Sequence, residues 1–502
     1  MTSPKVWLAA LVAALTGLAL GSPGSPARAQ ESPRAAGSAP SVPARAARAA
    51  PAAPPTPSAI SGATPGAAAY ATVGPRIDYR SFTLANGLRV HVIEDDRTPM
   101  VHEVLWVKVG SKDEQAKRTG FAHLFEHLMF KGSAHIPDGK LDLLLEAAGG
   151  WSNAFTSSDM TVYQNVAAAN FLEQVLWIEA DRLAGLLDTF DVSKLDNQRE
   201  VVLNERRQSY ENQPYGMAEL LLQAQLWPKG HGYHWPTIGY PEDLRAATVA
   251  DVASFFRTYY VPQNATMVIA GAVRFDEVKR LVEKYFAWMP RGAAPVRPRH
   301  ATPAPLTSAV ELTATDDVQV PRVYLTWRGP AAYSPDEPAL DLALAILGEG
   351  KTSRLYKRLV YDGKLAQDVS AELAPEELAG TVRIEVTAKP GVDPARLVRE
   401  VSEEISRLAT SPPDAAALER AQATYESGFL SALESALQRA ITLAEYDVLA
   451  KDPDYFPKDL ARYRAVTAPM VQAAVARYLQ PSARVVLTIA PKAGAKAGSK
   501  TP

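Results

Sequence analysis

Two histidines and a glutamate fall together in the run Gly120-Phe-Ala-His-Leu-Phe-Glu-His-Leu-Met-Phe130. On a helix His123 and His127, four residues apart, project from one face a single turn apart and can grip one metal ion. Glu126, three residues after His123 and next to His127, borders that face. Two imidazoles, a metal and a spare carboxylate are the parts needed to activate water. The chain has only 8 histidines, so His-x-x-Glu-His is a specific arrangement. The bland alternative is a helix with a polar solvent face and with Leu124, Phe125, Leu128 and Met129 turned to the core.

A two-histidine site needs a third protein ligand while leaving a position for water, and a carboxylate on another helix meets that need. The segment Lys194 to Gln208 reads as helical, with Ser193 as its cap and Leu195, Val202 and Leu203 as inner residues. It offers Glu200 and Glu205. Glu205 shares a partly apolar face with Val201, Val202 and Gln198, whereas Glu200 points elsewhere. Helical spacing favours Glu205 modestly and leaves Glu200 open.

His123-x-x-Glu126-His127 is similar to the inverted zinc motif of the inverzincins. The segment Arg199-Glu-Val-Val-Leu-Asn-Glu205 resembles the ligand helix of the pitrilysin/insulinase-type metallopeptidases. That resemblance implies one Zn2+ per chain held by His123, His127 and Glu205, with Glu126 as general base. Gly149 to Thr156, followed by Asp159 to Tyr163, resembles the family's edge strand beside the zinc. Ser152, Asn153, Ala154, Phe155 and Thr156 would then bind an extended peptide substrate as an added strand. Tyr259-Tyr-Val-Pro-Gln-Asn-Ala-Thr-Met-Val-Ile-Ala-Gly271 resembles its turn into a buried strand, and the likeness runs over roughly residues 78 to 490. Gln198 stands near the site where relatives often carry a glutamate. A glutamine there can orient a ligand but cannot take a proton. Imidazole and carboxylate ligands also accept divalent ions other than zinc.

Composition narrows the class further. At 502 residues there is room for two or more domains, and a formal charge of −2 with no basic block gives no reason to expect nucleic acid. Cysteine is absent, which excludes structural disulfides, a thiolate metal site and a lipid-anchored cysteine. Residues 1–29 read as a signal peptide: Lys5, an apolar run from Val6 to Leu20, and small residues at Ala27-Arg-Ala29. Secretion to the periplasm follows, with an uncleaved anchor as the alternative. Residues 30–75, rich in Ala, Pro and Ser, form a disordered tether, and residues 492–502 a disordered tail. No further apolar stretch is long enough to span a membrane in the mature chain.

Between tether and tail the pattern occurs twice. A helix, a tyrosine, a proline turn and a buried strand recur at Thr248 to Ala270 and at Thr467 to Ala490. The expected fold is α+β: two homologous lobes of mixed or antiparallel sheet flanked by helices, arising from an internal duplication. Residues 76–290 make a catalytic zinc-binding lobe, 291–305 a linker, and 306–491 a non-catalytic lobe whose Pro338 to Leu347 helix has no histidine. The resemblance implies that such a chain forms half of a clamshell chamber. Family members that work alone or as identical pairs carry an Arg and a Tyr in the second half. Alignment puts Val360 and Gln367 there, and neither supplies the needed donor. The reading is a zinc-dependent endopeptidase acting on peptides or unfolded segments, the zinc-bearing member of a heterodimer with a homologous subunit, a homodimer being possible. A non-catalytic scaffold of the same fold and a metal hydrolase of another bond are the alternatives.

Overall fold

A computed structural model describes residues 75–492. The signal peptide, nearly all of the tether and nearly all of the tail lie outside the described residues.

Short runs of alternating apolar residues build the first sheet. β1 (Arg80–Thr83), β2 (Arg89–Glu94) and β3 (Met100–Val107) precede helices α1 (Phe121–Leu128) and α2 (Leu141–Ala147). β4 (Trp151–Thr156) and β5 (Thr161–Ala168) lead into α3 (Leu172–Gly185), α4 (Val192–Arg206), α5 (Ala218–Leu226), α6 (Pro241–Ala246) and α7 (Val249–Tyr259). β6 (Ala265–Gly271) and α8 (Phe275–Phe286) complete the lobe. The strand order is β1-β2-β6-β3-β5-β4, antiparallel except where β2 meets β6. β4 therefore closes one edge, paired only with β5.

The second lobe repeats this plan. β7 (Val310–Asp316), β8 (Arg322–Gly329) and α9 (Glu337–Gly348) are followed by β9 (Ala366–Ala374), β10 (Gly380–Ala388), α10 (Pro394–Thr410), α11 (Ala415–Ser431), α12 (Ala436–Glu445), α13 (Phe456–Arg464), α14 (Ala468–Tyr478) and β11 (Arg484–Pro491). Its order is β7-β11-β8-β10-β9, with β7 and β11 parallel and every other pair antiparallel. Strand for strand this matches β2-β6-β3-β5-β4, including the single parallel pair. The duplication expected from two helix-turn-strand stretches is thus a shared sheet topology.

The two lobes exchange helices. α5 of the first lobe packs on β8 and β11, where Leu222 and Leu226 join Tyr324, Leu487 and Ile489 in one buried cluster. α12 of the second lobe packs on β3 and β6, so that Val104, Trp106, Val268 and Ala270 belong to the second lobe's apolar cluster. Burial of each such large side chain contributes about 1.5–3 kcal/mol. Polar ties follow the same seam. Asp447, just past α12, accepts from Thr266 at 2.8 Å and pairs with Arg89 at 2.8 Å. Lys112 bridges Asp159 at 3.1 Å and Glu377 at 3.0 Å. The segment from 291 to 305 has no regular structure, yet Arg297 pins it to Asp113 at 2.7 Å and to Asn264 at 2.9 Å.

One cap differs from expectation. α4 starts at Val192, and its N-cap is Asp191, whose carboxylate accepts from the Lys194 N–H at 2.9 Å. Ser193 lies inside the first turn instead, two residues too late to satisfy a free N–H there.

Candidate metal centre

The helix that carries the two histidines is held at its start and along its inner face. Gly120 opens α1 in the left-handed region, φ 83°, and the buried Glu114 carboxylate accepts from the N–H groups of Gly120 at 2.9 Å and Ala122 at 2.7 Å. These are orphan donors of a helix N-terminus, where an anion is also favoured by the dipole. Leu124, Phe125 and Leu128 are buried, and Phe125 stacks on Phe256 at 5.2 Å and sits 4.7 Å from Tyr260. With the apolar face fixed in this way, His123, Glu126 and His127 take the other side.

α4 packs against α1 and brings Glu205 to them. The two Nε2 atoms stand 3.3 Å apart, and Glu205 Oε2 lies 3.2 Å from His127 Nε2 and 3.6 Å from His123 Nε2. Among the described residues these three form the one cluster of His, Cys, Asp or Glu side chains able to hold a metal ion. Ligands about 2.0–2.1 Å from a tetrahedral zinc stand about 3.3 Å from one another, so the spacing fits that ion. Side-chain exposure rises from 12% at His123 to 23% at His127 and 39% at Glu205, which leaves the carboxylate side of the cluster open. Glu200, the other carboxylate of the segment, is exposed and outside the cluster.

The three side chains shift one another's pKa values. Burial lowers the His123 pKa to about 4, helped by the charge of His127 and opposed by Glu205. For His127 burial acts the same way, but the Glu205 hydrogen bond and the nearby carboxylates outweigh it and raise its pKa. Burial would raise the Glu205 pKa, yet the two histidines lower it. Metal binding at such a cluster needs both imidazoles unprotonated and the carboxylate ionised, so it would compete with protons for His127.

Glu126 does not join the cluster. Burial lifts its pKa to about 7 against the His127 charge and a hydrogen bond from Thr156. That bond, Thr156 Oγ1 to Glu126 Oε2 at 2.5 Å, crosses from the edge strand β4 to α1. Sequence reasoning placed Thr156 with the substrate-binding strand and missed this contact, for which the sequence carries no signal beyond a hydroxyl in the strand. On the same strand, the Ser152 hydroxyl donates to Asn165 Oδ1 at 2.8 Å, and Asn153 Oδ1 accepts from the Ala154 N–H at 2.9 Å. Ala154 and Phe155 are half-buried. Gln198 is buried two turns before Glu205, and its amide donates to Asn197 at 2.6 Å.

The second lobe has no such cluster. α9 packs on α11 as α1 packs on α4, and a cavity of about 200 Å³ lies there, lined in part by Ala345, Glu349, Arg420 and Thr424. Val360 packs against the second-lobe core, and Gln367 is exposed on β9. Arg358 is tied to Glu400 at 2.7 Å and Arg354 to Glu404 at 3.6 Å, so both are committed to α10.

Fold and site together define a two-lobe α+β protein with, among the described residues, one triad of side chains at metal-ligand spacing. Two family models match, Insulinase (Peptidase family M16) over residues 89–233 and Peptidase M16 inactive domain over residues 246–425. The chain belongs to the insulinase family. It is 29% identical over 372 residues to the zinc protease PqqE of Helicobacter pylori, covering 73% of this chain and 83% of that one. It is 27% identical to a probable mitochondrial-processing peptidase subunit beta of Arabidopsis thaliana, covering 60% of this chain and 56% of that protein. A crystal structure of a protease from Helicobacter pylori matches with a TM-score of 0.78 and 26% identity, over 83% of this chain and all of the other.

Proposed function

We propose that this chain is a zinc-dependent endopeptidase for peptides or unfolded segments, and the zinc-bearing subunit of a heterodimer. The observation that carries the reading is the triad of His123, His127 and Glu205 at ligand spacing, with Glu126 beside it and outside it. Relatives named zinc proteases support the same metal and reaction.

Zinc, when bound, lowers the pKa of its water toward neutrality and polarises a carbonyl. Glu126 accepts the proton of the attacking water and later delivers it to the leaving amine. Thr156 holds Oε2 by donating to it, so Oε1 is the oxygen left for the proton. The open side of β4 offers backbone groups to an extended substrate, which demands little of its sequence. Ser152 Oγ and Asn153 Oδ1 are engaged within the sheet, so substrate is held on β4 by backbone rather than by these side chains. Gln198 donates to Asn197 and, as an amide, cannot take up a proton.

The partner follows from what the second lobe lacks. Val360 is packed into the core and Gln367 cannot replace a phenol, while Arg354 and Arg358 are held by glutamates. A homologous subunit supplies the missing donors to the tetrahedral intermediate. A periplasmic setting accords with the apolar leader in the sequence, and no helix among the described residues is long and apolar enough to cross a membrane.

Metal analysis with peptide cleavage by wild type beside Glu126→Gln tests the chemistry. Stoichiometric zinc in both, with cleavage lost in the variant, is expected; equal cleavage by both would refute the mechanism. The purified chain should cleave feebly and gain rate when its homologous partner is added. Full activity without it would refute the heterodimer.

A further inference from the structure

The two ligand-bearing helices are far apart in sequence, and something other than the metal holds them at ligand distance. We propose that the segment from Gly239 to Ala247, which contains α6, is a brace that fixes the separation between the histidine pair and Glu205. Asp243 is its positioning residue. This inference rests on the triad being the metal site.

The brace grips α1 four residues before His123. Asp243 Oδ2 accepts from both the Thr119 hydroxyl at 2.6 Å and the Thr119 N–H at 3.2 Å, and Thr119 Oγ1 in turn accepts from the Tyr240 N–H at 2.9 Å. Thr119 and Asp243 are both buried, so these bonds are shielded from competing water. The backbones touch as well. A Cβ on Gly239 would lie 2.5 Å from Gly120 Cα, and Gly239 has φ 76°, so only glycine allows this approach.

The same segment grips α4 at two levels. Arg206, the neighbour of Glu205, donates from Nη1 to the Gly239 carbonyl at 3.0 Å. Arg199 donates from Nε to the Leu244 carbonyl at 2.8 Å and from Nη2 to the Ala247 carbonyl at 2.8 Å. Nine residues of chain thus connect the start of one ligand helix to both ends of the other helix's last two turns. A triad held in place before metal arrives loses less ordering entropy on binding, and outer partners of ligands typically contribute about 10–100-fold in affinity.

The second lobe offers an internal comparison. Pro457-Lys-Asp459-Leu460 in α13 matches Pro241-Glu-Asp243-Leu244, and Gln422 on α11 donates to the Tyr463 carbonyl at 3.0 Å and the Val466 carbonyl at 3.1 Å, as Arg199 does in the first lobe. Asp459 accepts from Tyr446 at 2.9 Å and Arg462 at 3.0 Å. The tie to the long helix is thus common to both lobes.

The test is zinc affinity of the whole chain, measured by competition with a chromophoric chelator, with the visible spectrum of the Co2+-loaded protein as a second readout. Asp243→Ala and Thr119→Val should each weaken zinc binding by about 10-fold or more and alter the Co2+ bands. Asp243→Asn and Thr119→Ser, which keep an acceptor and a hydroxyl, should restore most of the affinity. A segment that merely stabilises the lobe would lower the melting temperature and leave affinity and spectrum of the folded variants at wild-type values, and that result overturns the brace. Should Asp243→Ala fail to fold, Thr119→Val decides by the same readouts. If wild type itself binds no zinc, the metal reading and the brace fall together; if wild type binds and the variants match it, only the brace falls.

Discussion

Thr156→Val removes one hydroxyl from the site at nearly constant volume. The lost bond, 2.5 Å from Thr156 Oγ1 to Glu126 Oε2, is a hydrogen bond to a carboxylate in a shielded position. Bonds of that kind contribute about 1.5–3 kcal/mol. A factor of ten corresponds to about 1.4 kcal/mol, so kcat should fall by about 10–150-fold if the bond is needed to aim Glu126 in the transition state. The assay is cleavage of a fluorogenic peptide by the zinc-loaded protein, under single-turnover conditions where turnover is slow. KM and zinc content should stay near wild type, because the strand backbone and the triad are untouched. Thr156→Ser should recover most of the rate. A variant whose KM rises while kcat holds would show that Thr156 serves the substrate strand, and a variant with unchanged kinetics would refute its role in orienting the base.

Two further predictions concern the seam between the lobes. Leu222 belongs to the first lobe by sequence but is buried on the second sheet; Leu222→Ala should cost about 2–5 kcal/mol in urea unfolding and lower a single cooperative transition, and separate melting of two lobes would contradict the exchange. Burial opposes charge on Asp447, but His91, Arg89 and Thr266 hold its pKa below the usual 3.8. Its contribution to stability is therefore complete above pH 3.8 and lost as pH falls below that value, and Asp447→Asn should flatten this acid limb of the unfolding profile.

What could be read from the sequence was local or repeated. The clustering of His123 and His127 was legible because a separation of four puts two side chains one turn apart on one helix face, and that of Glu205 because helical spacing and family resemblance agreed. The duplication was legible from two copies of a tyrosine, a proline turn and an apolar strand. Contacts set by tertiary packing were not. Thr156 and Glu126 are 30 residues apart and Asp243 and Thr119 are 124 apart, and no periodicity links them. Glu114 sits in a polar stretch of sequence, and only the structure shows its carboxylate buried on the helix start. α5 announces an apolar face without saying which sheet receives it.

That exchange of helices bears on whether the second lobe could cover the triad. If the second lobe swung over the triad as a hinged lid, α5 would have to leave β8 and β11, and α12 would have to leave β3 and β6. Leu222, Leu226, Ile441 and Leu443 are all buried in those contacts. At about 1.5–3 kcal/mol for each, re-exposing them costs about 6–12 kcal/mol, as much as the whole stability of a typical domain. Breaking the Asp447 and Lys112 ties would add to that. At that cost an arrangement with the helices withdrawn is a negligible fraction of the folded chain. On the proposed function, a cover for a substrate lying on β4, and the donors that Val360 and Gln367 cannot provide, are expected from a second chain.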